Sequence, residues 1–388
     1  MFFARRRSRG PVEIRRAGPL LLAGLLGLAS APALAQGTAA AQHDQHQATA
    51  ATADQGDYPN LKISGFGDVD FAAIRPSQAP RGFFLGQLTL HMVSALSPRV
   101  AVFGELTFTP RTDAGTGAPA VTGFNAEVER LIIRFDRSDY FKISAGRYHT
   151  PINWWNTAFH HGQWLQTTIT RPEMIQFGGK LLPVHFVGAL VEGSLPTGGL
   201  NVHYQAGVGN GRAAVISRAG DAGDVNDKAA FLFNGFIHPD KLYALQAGGS
   251  FYTDQLNPTA GGTFHEHIYS GHVVWNKEDP ELIAEVVGIR HQATGTTVSY
   301  WTHAYYAQAA YRIPALNHVL KPYVRFEHIA VPAADAAFAG VLSLDMTTTG
   351  LRYDATTYAA IKGEFRTWTR GPGTVRNNGG FVQVCFTF

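Results

Sequence analysis

Cysteine is almost missing from this sequence: the one residue, Cys385, rules out an intramolecular disulfide. Long apolar runs are missing as well. Beyond the first segment nothing approaches the roughly 18 consecutive apolar residues that a spanning helix needs, which excludes a helical membrane protein. An excess of charge is also lacking, because the 32 basic and 29 acidic residues include six arginines and one glutamate in the amino-terminal segment. Without that segment 26 basic stand against 28 acidic residues, a net charge of −2, and nucleic acid is not expected as a partner. Catalytic signatures are missing too. There is no Gly-x-Ser-x-Gly elbow, no Cys-x-x-Cys pair and no phosphate loop, and Gly207-Val208-Gly209-Asn210-Gly211 opens no helix. No catalytic residue and no cofactor is expected.

The first segment carries Arg5, Arg6, Arg7, Arg9, Arg15 and Arg16, then an apolar run from Leu20 to Ala29, then Ala33-Leu34-Ala35. This pattern predicts a secretory signal peptide over 1–35, cleaved after Ala35. Twin-arginine export is disfavoured, since Ala17-Gly18-Pro19 follows Arg15-Arg16 where that signal wants an apolar pair. Residues 36–57 are rich in Ala, Gln, Thr and His with few large apolar residues, and read as a flexible tail.

From Leu61 onward the apolar period is two. Leu61, Ile63, Val69 and Phe71 fall on one face, with Lys62, Ser64, Asp68 and Asp70 on the other, and the same alternation recurs until sixteen strands are counted. Their connections alternate between short and long. Short ones include Ser97 to Arg99, Asp136 to Asp139 and Lys277 to Pro280, whereas Pro110 to Gly123, Tyr148 to Pro172 and Gly209 to Asp227 are long. Such sorting of loops by end belongs to outer-membrane barrels. Outward-parity aromatics form two bands, with Phe135, Phe141, Tyr243, Trp275, Tyr311 and Tyr353 beside the short turns and Phe71, Phe84, Phe108, Phe251, Tyr269 and Tyr305 toward the other end. The expected fold is all-β: a 16-stranded antiparallel transmembrane β-barrel over 58–388, in the outer membrane, facing lipid and lipopolysaccharide.

A closed ring of this width is expected to hold water, and the inward parity carries Lys142, Ser144, Gln205, Arg325, Glu327, Lys362, Glu364, Arg366 and Gln383. Two strands break the rule: Leu232 and Phe236, and Ile283 and Val287, take the lumenal parity, which requires either a loop packed against them or a misplaced bulge. The end, Phe381-Val382-Gln383-Val384-Cys385-Phe386-Thr387-Phe388, resembles the signal read by the outer-membrane assembly machinery, with Phe388 as its last residue; Cys385 reads as a small inward filler.

The run Val128-Glu129-Arg130-Leu131-Ile132-Ile133-Arg134-Phe135 followed by Lys142-Ile143-Ser144-Ala145-Gly146-Arg147-Tyr148-His149-Thr150-Pro151 resembles Gram-negative porins related to the phosphate-selective O/P superfamily. The similarity is strongest between Glu127 and Pro172. It implies a homotrimeric channel for small solutes whose third outside loop folds inward to narrow the pore. That loop, Tyr148 to Pro172, holds Trp154, Trp155, Phe159 and Trp164 with His149, His160 and His161, and so many aromatics favour packing within the lumen. The expected constriction comprises Arg130, Arg134, Lys142, Arg147, His149, Trp154, Trp155, His160 and His161, faced by Arg325, Glu327, Arg352, Lys362, Glu364 and Arg366. A basic ring would favour anions weakly, although Glu105, Glu327, Glu364, Asp68 and Asp70 are available to pair with it. No Lys-rich loop matches the phosphate trap of that superfamily, so phosphate selectivity is not carried over.

No metal site is expected. His265-Glu266-His267 lacks the spacing of a zinc motif, and its alternate residues point opposite ways; His43 and His46 in the tail, and the pair His160-His161, could bind a soft divalent metal transiently, but a solvated polar role is the expected reading. A barrel-borne enzyme and an adhesive or structural barrel remain as alternatives. The first is disfavoured by strand number and the second by modest loop size.

Overall fold

Period-two patterning leaves each strand one lipid-compatible face and one polar face, and only a closed sheet satisfies every backbone group in a membrane. The computed structural model, which describes residues 58–75, 81–111, 123–372 and 375–388, shows that closure. The leader and tail expected over 1–57 lie outside the described residues.

The strands are β1 (Asn60–Arg75), β2 (Gly82–Ser97), β3 (Val100–Pro110), β4 (Phe124–Ser138), β5 (Phe141–His149), β6 (His185–Leu195), β7 (Val202–Gly209) and β8 (Ala230–Ile237). They continue with β9 (Leu245–Leu256), β10 (Phe264–Asn276), β11 (Glu281–Ala293), β12 (Ser299–Ala310), β13 (Leu320–Ala330), β14 (Leu344–Asp354), β15 (Ala359–Arg370) and β16 (Asn377–Thr387). Each pairs antiparallel with the next, and β16 returns to β1 in a register running from Phe66 opposite Thr387 to Ala73 opposite Gly380. The sixteen strands therefore leave no edge. No helix among the described residues is long and apolar enough to cross a membrane.

The outer wall is apolar and exposed, with Leu61, Ile63, Leu131, Ile133, Val286, Val324, Phe326, Phe365 and Val384 on it. In water such a surface would be an aggregation liability; in lipid it is the wall's solvent-matched face. Phe135, Phe141, Tyr243, Tyr311 and Tyr353 are exposed near the short turns, and Tyr269 and Tyr305 nearer the long loops. One expected member moves. Phe83 and Leu85 face outward in place of Phe84, because β2 inserts an extra residue opposite the Gly67/Val69 step and the bulge reverses the alternation on one side.

Cys385 is fully buried and packs with Phe66, Ala360 and Trp164, in keeping with its inward parity.

Candidate functional site

The third long loop, 150–184, leaves β5 and returns to β6, whose facing ends are His149 and His185. It is longer than the sequence suggested, because 173–184 belongs to it and includes one 3₁₀ turn at Glu173–Ile175. Gly146 prepares the exit. Its φ is +147°, and a Cβ there would lie 1.9 Å from the Leu131 carbonyl oxygen, so only glycine lets β4 approach this closely. Both roots are tied by Asn156, whose Nδ2 donates to the carbonyls of Thr150 and Val184 at 2.9 and 3.0 Å.

From its roots the loop runs into the barrel and is held there through its own backbone. Glu285 on β11 accepts from the Trp154 and Trp155 amides at 2.6 and 2.8 Å, Glu364 on β15 from Ile169 at 2.6 Å, and Glu327 on β13 from Glu173 at 2.5 Å. Cations of the wall take the loop's carbonyls. Arg325 donates to Thr170 and Arg171 at 2.8 and 3.2 Å, Arg352 to Trp164 and Gln166 at 2.7 and 3.0 Å, and Lys362 to Thr168 at 3.0 Å and to Gln163. A loop with only short helical turns at Trp155–Ala158 and Glu173–Ile175 leaves most of its amides and carbonyls without mutual partners, and these acidic and basic side chains supply them.

Beneath the loop lies an apolar cluster in which Ile152, Trp154, Trp155, Phe159 and Ile175 meet Leu232, Ile283, Val287 and Tyr306 from the wall. Leu232, Ile283 and Val287 are thus lumenal by parity and covered by the loop, which settles the irregularity seen in the sequence. Phe236, the fourth, stacks on His203 with centroids 4.7 Å apart. Above the loop, Arg212 is buried and donates to the carbonyls of Lys180 and Leu181 at 2.6 and 2.8 Å, while it pairs with Glu266 at 2.9 Å.

Two expectations are corrected by this packing. Arg325, Arg352, Lys362, Glu327, Glu364 and Arg366 do point inward, but they are buried rather than ranged round open water. Five of them hold the loop, and Arg366 pairs with Glu364 and lies over the Phe381 ring at 3.8 Å. The water-filled lumen expected along the whole wall is likewise occupied on the β8–β16 side. Arg147 departs differently: it lies opposite the exposed Leu131, with outward parity, and bonds the Val128 and Glu129 carbonyls at 2.7 and 2.6 Å and Asp221 at 2.7 Å.

On the other side a cleft remains open, bounded by β3 to β7 and the loop. Arg130, Arg134, Glu192, Gln205 and His149 line it with Phe103 and Tyr148. Arg134 bonds Asp136 at 2.7 Å and lies 3.7 Å from Glu192; Arg130 pairs with the buried Glu105. Lys142 faces inward on the neighbouring strand, half-buried, opposite Asp136 and Glu192.

At the inner end of this cleft His149 meets His160 and His161 from the loop and His185 from its other root. His149 stacks on His160 with centroids 3.4 Å apart, and His160 Nε2 is 2.9 Å from His185 Nε2. Burial holds both His160 and His161 below the usual histidine range, helped for His160 by the neighbouring rings. Glu129 reaches His185 at 2.7 Å and His161 at 3.4 Å.

Strict alternation hid Glu129, since the bulge on β4 places both Glu129 and Arg130 inward. Glu285 and His185 were also missed as site residues, as was Glu281, which accepts from the loop's Thr167 hydroxyl at 2.9 Å and from Lys321 at 2.7 Å. An acid at lumenal parity opposite an aromatic-rich loop was the available signal for Glu285, and two histidines bracketing one loop for His185. His265 and His267 face outward while Glu266 is buried inside, the opposite orientations expected of them.

Neither a family model nor a curated protein matches the chain. Solved structures do match. An anion-selective porin from Comamonas acidovorans aligns with a TM-score of 0.61 at 12% identity over 85% of this chain and 99% of that one. The trimer form of OmpT from Vibrio cholerae gives 0.57 at 10% over 86% and 100%, and Salmonella typhi OmpF 0.58 at 9% over 85% and 98%. The architecture is that of the sixteen-stranded outer-membrane porins. At these identities the likeness concerns the fold.

Proposed function

We propose that this chain is an outer-membrane porin that passes small polar solutes by diffusion, with a weak preference for anions. The observation that carries the reading is the open cleft between the inward-folded third loop and β3–β7, whose wall sets Arg130, Arg134, Ser144, Glu192 and Gln205 among apolar side chains, within a barrel whose outside is apolar. A barrel with a fully packed interior would offer no route; here the loop packs against one side of the wall and leaves this cleft beside the other. The anion preference rests on Arg130 and Arg134 against the single carboxylate of Glu192 on the lining. It is weak because Glu105 and Asp136 partner those arginines.

The expected homotrimer is supported by the sequence resemblance and by the trimer described for OmpT of Vibrio cholerae. Kinship with the phosphate-selective superfamily rests chiefly on residues Glu127 to Pro172, with weaker support from Gly207 to Arg212 and the last strands, and phosphate selectivity is not part of the proposal. Lipid and lipopolysaccharide would contact the apolar belt, and the terminal Phe388, which is exposed, would be presented to the assembly machinery.

Proteoliposome swelling tests the function. Vesicles carrying the folded protein should swell in isosmotic small sugars and amino acids, at rates that fall with solute size. Folded protein that gives no swelling would end the proposal.

A further inference from the structure

Four histidines distant in sequence converge where the third loop meets its roots. His149 ends β5, His185 begins β6 directly opposite, and His160 and His161 return from the loop between them. One ring nitrogen from each lies within 4.8 Å of all the others. Both neighbours in the loop have their second nitrogen committed. His160 Nδ1 is 2.8 Å from Asn156 Oδ1, an acceptor because the Nδ2 of that amide is spent on two carbonyls, so His160 must carry its proton on Nδ1. His161 Nδ1 lies 3.0 Å from Gln87 Oε1. Their Nε2 lone pairs therefore point into the shared space, where His185 Nε2 and the carboxylate of Glu129 also stand.

His161 Nε2 and both ring nitrogens of His149 are buried without completing a hydrogen bond, each carrying a cost that a ligand would remove. Fixed outer nitrogens, converging inner nitrogens and a carboxylate are the features of a metal site with its supporting shell already in place. A tetrahedral ion would set the nitrogens about 3.4 Å apart, given Zn–N bonds of about 2.1 Å, so that His160 and His185, 2.9 Å apart, open slightly while the wider pairs close through ring rotation. Imidazole-rich donors suit zinc and copper; calcium and magnesium require oxygen shells. His149 also lines the open cleft, which provides the path of entry.

We propose that His149, His160, His161 and His185 bind one divalent transition-metal ion of the zinc or copper class, with the Glu129 carboxylate beside them balancing its charge. The ion fastens the third loop to both of its roots. This goes beyond diffusion and does not depend on it, because binding is read without conductance. The sequence expectation of no metal site weighed His160-His161 without its neighbours in space; the fold adds the two root histidines and the acid.

The test uses the full folded chain in detergent, stripped with chelator and titrated with Zn²⁺ by calorimetry, and separately loaded with Co²⁺ for visible spectroscopy. Expected are one tight Zn²⁺ per chain, an intense four-coordinate Co²⁺ band, no response to Mg²⁺, and a thermal midpoint that rises with Zn²⁺. His161→Gln should weaken binding about tenfold or more, whereas the double variant H43Q/H46Q in the tail should retain the tight site. Should His161→Gln not fold, the wild-type Co²⁺ spectrum decides alone. A folded wild type without saturable Zn²⁺ binding, a six-coordinate Co²⁺ spectrum, or loss of binding in the tail variant would each overturn the proposal.

Discussion

The carboxylate of Glu285 accepts the backbone N–H groups of Trp154 and Trp155 together, at 2.6 and 2.8 Å, and so fixes the point where the third loop turns into the barrel. Trp155 is almost wholly buried beneath that contact. An acid on β11 and a loop between β5 and β6 thereby become one unit. Because charge-assisted bonds contribute roughly 1.5–3 kcal/mol each, Glu285→Ala should destabilise the loop's seat by about 3 kcal/mol. The expected signs are a lower thermal midpoint and faster proteolytic nicking within 150–184 with the barrel intact, both measured on protein in detergent.

Charge selectivity separates arginines that line the cleft from those that hold the loop. Arg134→Gln should move the reversal potential in a salt gradient toward cations. Arg325→Gln should leave the reversal potential nearly unchanged and lower the thermal midpoint, since Arg325 is buried and bonded to loop carbonyls. Equal shifts from both substitutions would mean that the buried cations also face the permeating solute.

Gly146 is the backbone's closest approach at the loop's exit. Gly146→Val must clear the Leu131 carbonyl, 1.9 Å from the new Cβ, and abandon a φ of +147°. We expect a loss of several kcal/mol, of the order seen for strained backbone substitutions, observed as a low yield of heat-modifiable folded barrel on unheated gels.

Acid stability has a defined contributor in the short turn before β11. Burial raises the Glu278 carboxyl, but Lys321 at 2.9 Å and Arg312 at 2.6 Å outweigh that effect and bring it from 4.5 to about 2. A depressed folded value means that this stabilisation is complete above pH 4.5 and is lost as the pH falls toward 2. Thermal midpoints measured across that window should fall less steeply for Glu278→Gln than for the wild type.

Strand number, wall orientation and the inward course of the third loop were legible in the sequence because period-two alternation and loop length are local properties. Leu61 and Ile63, for example, carry their lipid-facing role in their spacing. What the loop touches was not legible. Arg325, Arg352 and Lys362 look the same in sequence whether they face water or a carbonyl, and only the closed topology brings β13 to β15 against residues 163–171. Bulges were the second blind spot. One inserted residue in β4 turned Glu129 inward beside Arg130 and another in β2 exchanged Phe84 for Phe83, changes that a fixed period misses.

Planar-bilayer recording tests the central claim most directly. Folded wild-type protein should insert in discrete conductance steps, and Glu285→Ala, by releasing the loop from the wall, should give larger ones. Folded protein that leaves the bilayer silent in both forms would contradict the account.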